Sequence, residues 1–83
     1  MSGQKIYRVM LFKAVSYVLK AEKILKAEGI PHKIIPVPKH ISSDCGICIR
    51  FEPAMQGKIE AALFKNVEIE EIRELIESSQ AGF

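Results

Sequence analysis

The sequence predicts an α+β fold: a ferredoxin-like split βαβ sandwich, running strand, helix, strand, strand, helix, strand, with a short helix at the C-terminus. Three observations carry this. Ile6 to Phe12 is apolar on both alternations, the mark of an interior strand. Val15 to Glu28 repeats apolar residues at helical spacing. Gly46 to Phe51 alternates cleanly, with Ile47, Ile49 and Phe51 on one side and Cys48 and Arg50 on the other. In such a fold both helices cover one face of an antiparallel sheet, and the crossovers are right-handed.

In the first strand, Tyr7, Val9 and Leu11 share one face and Ile6, Met10 and Phe12 the other. The second set is expected to line the uncovered face, which would suit a homodimer through a sheet face or edge, or a lid from the C-terminal helix. The first helix stacks Val18, Ala21 and Leu25, with Ile24 alongside, and turns Lys20, Lys23 and Lys26 to water. Gly29 sits where a left-handed residue ends a helix at little cost. The start is poorly marked, because Ala14 has no capping side chain and Ser16 falls inside the first turn.

Ile30-Pro31 turns the chain into a second strand, His32 to Val37. Pro36 and Pro38 cannot donate ladder hydrogen bonds, so it ends near them or lies at an edge. After the third strand, Pro53 suits the first turn of a helix. Met55, Ile59, Ala62 and Leu63 then form an apolar stripe to about Lys65, and Asn66 offers a stop. Gly57 weakens this helix by about 1 kcal/mol relative to alanine. Val67 to Ile72 fits two patterns: its first residues alternate, while Ile69, Ile72 and Ile76 also fit a helical face. The favoured assignment is a fourth strand at Val67 to Glu71 and a short helix at Ile72 to Ser78, with a frayed tail from Ser79 to Phe83.

Eighty-three residues make a single domain, 1–83, near the lower size for an unstapled core. No apolar run is long enough to cross a bilayer. Met1 to Lys5 is too short and polar for a signal peptide. The expected location is therefore cytoplasmic. A net charge of +2 with lysines and glutamates interspersed reads as a solvated surface, and a nucleic-acid partner is not expected. Basic residues do gather around Lys33, Lys39, His40 and Arg50.

The two cysteines, Cys45 and Cys48, do not make a disulfide framework in such a chain. Both follow the proline-braced loop from Pro36 to Asp44. Cys45, where loop meets strand, is expected to be accessible. A thiolate there is a nucleophile that Lys39 and His40 would favour and Asp44 oppose. Gly46 removes a side chain beside the sulfur and lets backbone N–H groups approach an anion. The alternative is a cysteine packed as a small hydrophobe.

The spacing Cys45-Gly46-Ile47-Cys48 also fits a dithiol pair. Along an extended strand, however, three residues span about 10 Å and put the side chains on opposite faces, whereas a disulfide needs Cα atoms within about 7 Å. Cys45, Cys48, His40 and His32 are zinc-type ligands, but one cysteine pair without a second is a weak signal, and no metal is expected. Arg50, on the face of Cys48, can hold a carboxylate or phosphate or simply be solvated. Ser42 and Ser43 can satisfy loop backbone groups. Lys39, His40, Ser43 and Arg50 form the candidate substrate-binding set around the candidate reactive residues Cys45, Gly46 and Cys48. No cofactor motif is present: there is no glycine-rich phosphate loop and no Ser-His-Asp arrangement. Tyr7 and Phe12 are better explained by packing than by base stacking.

From the first strand to about Ile72 the chain resembles a family of small bacterial domains described as selenium/sulfur carrier proteins. The likeness is most specific in Pro36-Val37-Pro38-Lys39-His40-Ile41-Ser42-Ser43-Asp44-Cys45-Gly46 and in Ile49-Arg50-Phe51, with Phe12 and Ala21 to Lys26 also fitting. The resemblance implies that Cys45 holds sulfur or selenium, as a persulfide or selenosulfide, for handover to a donor or acceptor protein. This is a covalent carrier or sulfurtransferase-like role rather than turnover of a free substrate. Ala14 stands where the family has serine or threonine, and Cys48 lies outside the shared pattern. The competing expectations are a non-catalytic interaction module and a dithiol or zinc protein.

Overall fold

The computed structural model describes residues 4–41 and 45–78, without the side chains of Gln4, Glu77 and Ser78. Four strands, β1 (Gln4–Leu11), β2 (Lys33–Pro36), β3 (Ile47–Phe51) and β4 (Glu71–Ser78), form one sheet in the order β2-β3-β1-β4. Every neighbouring pair is antiparallel. The helices are α1 (Val15–Glu28) and α2 (Gln56–Leu63), the latter preceded by a 3-10 turn at Pro53–Met55. This α+β arrangement is consistent with the expected ferredoxin-like sandwich.

The helices share one face of the sheet. Val18, Ala21 and Leu25 of α1 and Ile59 and Leu63 of α2 bury against Met10, Phe12, Ile49 and Phe51. Helix α1 has the expected bounds. Gly29 closes it at φ 72°, its N–H donating to Lys26 O, while Ile30 N–H reaches Leu25 O at 3.0 Å. These bonds satisfy carbonyls that a helix end leaves open. Ala14, at the other end, provides no side-chain cap. The second helix stops earlier than expected, and Lys65 rather than Asn66 takes the left-handed conformation, at φ 75°. The Asn66 side chain instead donates to Ala62 O at 3.4 Å. Arg8 donates to Gln56 Oε1, tying β1 to the start of α2.

Two expectations are overturned. The first concerns the end of the chain: residues 67–70 connect, and Glu71–Ser78, expected to be largely helical, is the fourth strand. It pairs with β1 along all eight residues, Gln4↔Ser78 to Leu11↔Glu71. Isoleucines at 72 and 76 share a face in a strand as they do in a helix, so periodicity alone does not separate the two. What separates them is β1, whose outer edge would lose its ladder partner if 72–78 coiled.

The second correction swaps the faces of β1. Met10 and Phe12, with Ile6 beside them in the same alternation, point to the helices; Met10 and Phe12 are fully buried there. The helix-free face carries Tyr7, Val9 and Leu11, joined by Cys48, Leu75 and Ile35. Part of that face is closed by the chain itself. Pro38 to Ile41 makes a turn, with Ile41 N–H bonded to Pro38 O at 3.0 Å, and Ile41 packs into the cluster with Val9, Leu11 and Cys48. The lid over this side is thus the loop after β2, not a C-terminal helix.

Candidate functional site

Strand β2 lies at a sheet edge, as its prolines require. Its register with β3 ends at Pro36↔Ile47, and Val37 N–H adds one more bond to Gly46 O at 3.0 Å. Beyond that rung the chain leaves the ladder. Lys39 and His40 are exposed in the turn, and the backbone re-enters the described structure at Cys45. Ser42, Ser43 and Asp44 lie outside the described residues, so the expected part of Ser43 in the site does too.

Cys45 is where the structure departs most from the sequence reading. Expected to be accessible, it is 2% exposed and belongs to the helix-side core with Met10, Ile49 and Phe51. The cause is local: two residues before β3 begins, the side chain falls to the same side as Ile47 and Ile49. Cys48, fully buried, belongs to the opposite cluster beneath Ile41. Neither thiol is part of a disulfide, and the two sit in apolar layers on opposite faces of the sheet, as extended geometry requires. Gly46 is exposed, and a Cβ there would meet nothing within 4 Å.

Arg50 does share the face of Cys48. Its guanidinium lies 4.1 Å from the Tyr7 ring centroid, a cation–π contact that fixes its direction. His32 is used elsewhere: Nδ1 lies 2.8 Å from Ile30 O and Nε2 3.5 Å from Glu22, which pins β2 to α1. Among the described residues, no three histidine, cysteine or acidic side chains come together to hold a metal ion. None of the helices is long and apolar enough to cross a membrane.

The sequence profile of one family, described as "Putative Se/S carrier protein-like", matches residues 7–74. The chain belongs to this family. No curated protein and no solved structure matches the chain. In this Se/S carrier-like domain the profile spans every described site residue, from Lys39 and His40 through Cys45 and Gly46 to Arg50.

Burial sets the chemistry of the domain's second thiol. Desolvation, with the neighbouring Cys45 sulfur adding to it, pushes Cys48 from its ordinary value of 9.0 up to about 11. Almost none of it is thiolate at neutral pH, so it is a poor nucleophile for resolving a persulfide. The raised value makes stability depend on alkaline pH. Between 9.0 and about 11 the unfolded chain has lost the Cys48 proton while the folded chain keeps it, so stability is full below the lower value and falls as pH rises through the window. Urea unfolding at pH 8 and pH 10.5 should show the wild type losing about 2 kcal/mol more than Cys48→Ala. Equal losses would show that Cys48 is not desolvated.

Sequence reasoning missed Arg73 as a neighbour of this site, because it placed residue 73 in a helix. The register puts Arg73 on the rung of Val9 and Arg50. The signal available was the period of two that puts Arg73 and Leu75 on one strand face and Ile72 and Ile76 on the other.

Proposed function

We propose that this domain, a ferredoxin-like sandwich of one unit, carries sulfur or selenium on Cys45 for transfer to a partner protein. The family match carries the reading, because the matched residues, 7–74, include the loop and the Cys45-Gly46 junction. In the step envisaged, the Cys45 thiolate attacks the terminal sulfur of a cysteine persulfide on a donor enzyme. A new sulfur–sulfur bond forms at Cys45, the donor's bond breaks, and the donor cysteine leaves as thiolate. The sulfane atom moves with no net oxidation or reduction. Selenium would follow the same course to a selenosulfide. Lys39, exposed in the preceding turn with His40 beside it, supplies positive charge on the approach to the junction, and Gly46 leaves room for a partner's backbone.

The 2% exposure of Cys45 adds a condition: loading must follow an opening of the chain beside the sulfur, induced by the partner or reached by local fluctuation. The same burial supports a second reading, a non-catalytic interaction module in which both cysteines are core residues. The β4 edge, eight residues long and without proline, is the place where a second copy or another chain would pair in that case.

Intact-mass analysis after incubation with a cysteine desulfurase and its substrate separates the two. Wild type and Cys48→Ala should each gain a sulfur atom, and Cys45→Ala should not. Gly46→Ala should fold normally, since its methyl group meets open space, yet load more slowly. Absence of added sulfur, under conditions that load a known carrier, leaves the interaction module.

A further inference from the structure

One rung of the sheet on the helix-free face is cationic across its width. Lys33 on β2 stands opposite Arg50 on β3, Arg50 opposite Val9 on β1, and Val9 opposite Arg73 on β4. The rung therefore reads Lys, Arg, Val, Arg, with no acidic residue in it. At about 4.8 Å per strand the row spans roughly 14 Å. Like charges directly opposite one another on paired strands destabilise a sheet, so the fold gains nothing from placing Lys33 against Arg50. Val9, wholly buried, forms the apolar floor between the two arginines.

The surroundings of the row are mixed in charge. Arg73 lies 3.6 Å from Glu71, and Lys5, nearby on β1, lies 3.6 Å from Glu52. These contacts are exposed, weak and exchangeable. Lys33 is exposed, and Arg50 is held against the Tyr7 ring, so its planar fork is oriented before any ligand arrives. Oriented arginines suit carboxylates and phosphates.

We propose that this rung is a docking surface for a protein segment carrying clustered carboxylates. Charge complementarity selects an acidic ligand, and Tyr7 selects protein over RNA. Single-stranded nucleic acid is held largely by bases stacked on aromatic side chains. Among the described residues, the aromatic ring on the helix-free face is Tyr7, and the Arg50 guanidinium already covers it. The chain's net charge of +2 is also small for a nucleic-acid domain. This surface is independent of whether Cys45 carries sulfur. It lies about 17 Å along β3 from Cys45, five residues at roughly 3.4 Å each, so a partner docked there leaves the loop end uncovered.

The test is an amide chemical-shift titration at low salt with a hexaglutamate peptide and, separately, a six-residue oligouridylate. Hexaglutamate should move the amides of Lys33, Arg50, Val9 and Arg73, and the shifts should vanish near 1 M salt, where screening falls to about 3 Å. Lys33→Gln with Arg73→Gln, both at exposed positions, should weaken binding about three- to tenfold. A charge-matched control, Lys20→Gln with Lys23→Gln on the exposed side of α1, should leave it unchanged. Equal weakening by the control overturns the proposal, because bulk charge then explains binding. Tighter binding of the oligouridylate at the same rung overturns it in favour of nucleic acid. No shift with either probe overturns it outright.

Discussion

Met10→Asp is expected to unfold the chain. Met10 is wholly buried: it sits at 0% accessibility on a central strand, among Phe12, Ile49, Phe51 and the inner faces of both helices. Removing a buried methionine's packing costs about 2–5 kcal/mol. An unpaired carboxylate in that layer adds several more, whether it stays charged or takes up a proton. A domain of this size has only about 4–12 kcal/mol of stability in total. Ile6→Asp is the natural comparison, because the sequence groups Ile6 with Met10 and Phe12. Ile6 is 49% exposed beside Ile76, so this change should cost about 1 kcal/mol, from strand propensity and the cross-strand pair. Circular dichroism and urea unfolding of both variants decide the matter. A folded Met10→Asp protein would show that the helix side of β1 has been assigned to the wrong face.

The second large effect concerns the thiols. Both should alkylate at least about 100-fold more slowly in the native protein than in denaturant at pH 8. For Cys48, a shift from 9.0 to about 11 lowers the thiolate population about 100-fold, before any loss of access is counted. For Cys45 the barrier is access, at 2% exposure. Peptide-resolved mass spectrometry of a timed alkylation reads the two sites separately. Fast modification of Cys45 with Cys48 protected would contradict its burial and describe a carrier whose sulfur is presented at rest. Slow modification of both fits a carrier that opens for its donor, and the rate under native conditions then reports how often the chain beside Cys45 opens.

Much of the fold was legible because local signals agreed with one another. Helix α1 is bounded by an apolar stripe and a glycine that takes φ 72°, and no tertiary contact is needed to read either. The alternation of Ile47, Ile49 and Phe51 against Cys48 and Arg50 assigned the faces of β3 correctly, and the prolines, read as ending β2 or putting it at an edge, coincide with both: β2 ends at Pro36 and lies at the edge. The fourth strand was not legible in the same way. Ile72 and Ile76 satisfy helix and strand periods at once, and only the open edge of β1 settles the choice. The candidate site was half legible: its residues were named, but the level of Cys45 relative to the surface was not.

By itself the sequence determined which residues form a helix, which alternate, where the chain turns, and that two thiols three residues apart on a strand face opposite ways. It also carried the family likeness that points to Cys45. The tertiary structure alone decided which face of β1 the helices cover, that Ile41 closes over Cys48, that Cys45 is drawn into the core, and that Lys33, Arg50 and Arg73 share a rung. The physical reason is common to all four. Backbone dihedrals and side-chain periods are properties of neighbouring residues, whereas burial and cross-strand register depend on partners far away in the chain, whose positions no local pattern encodes.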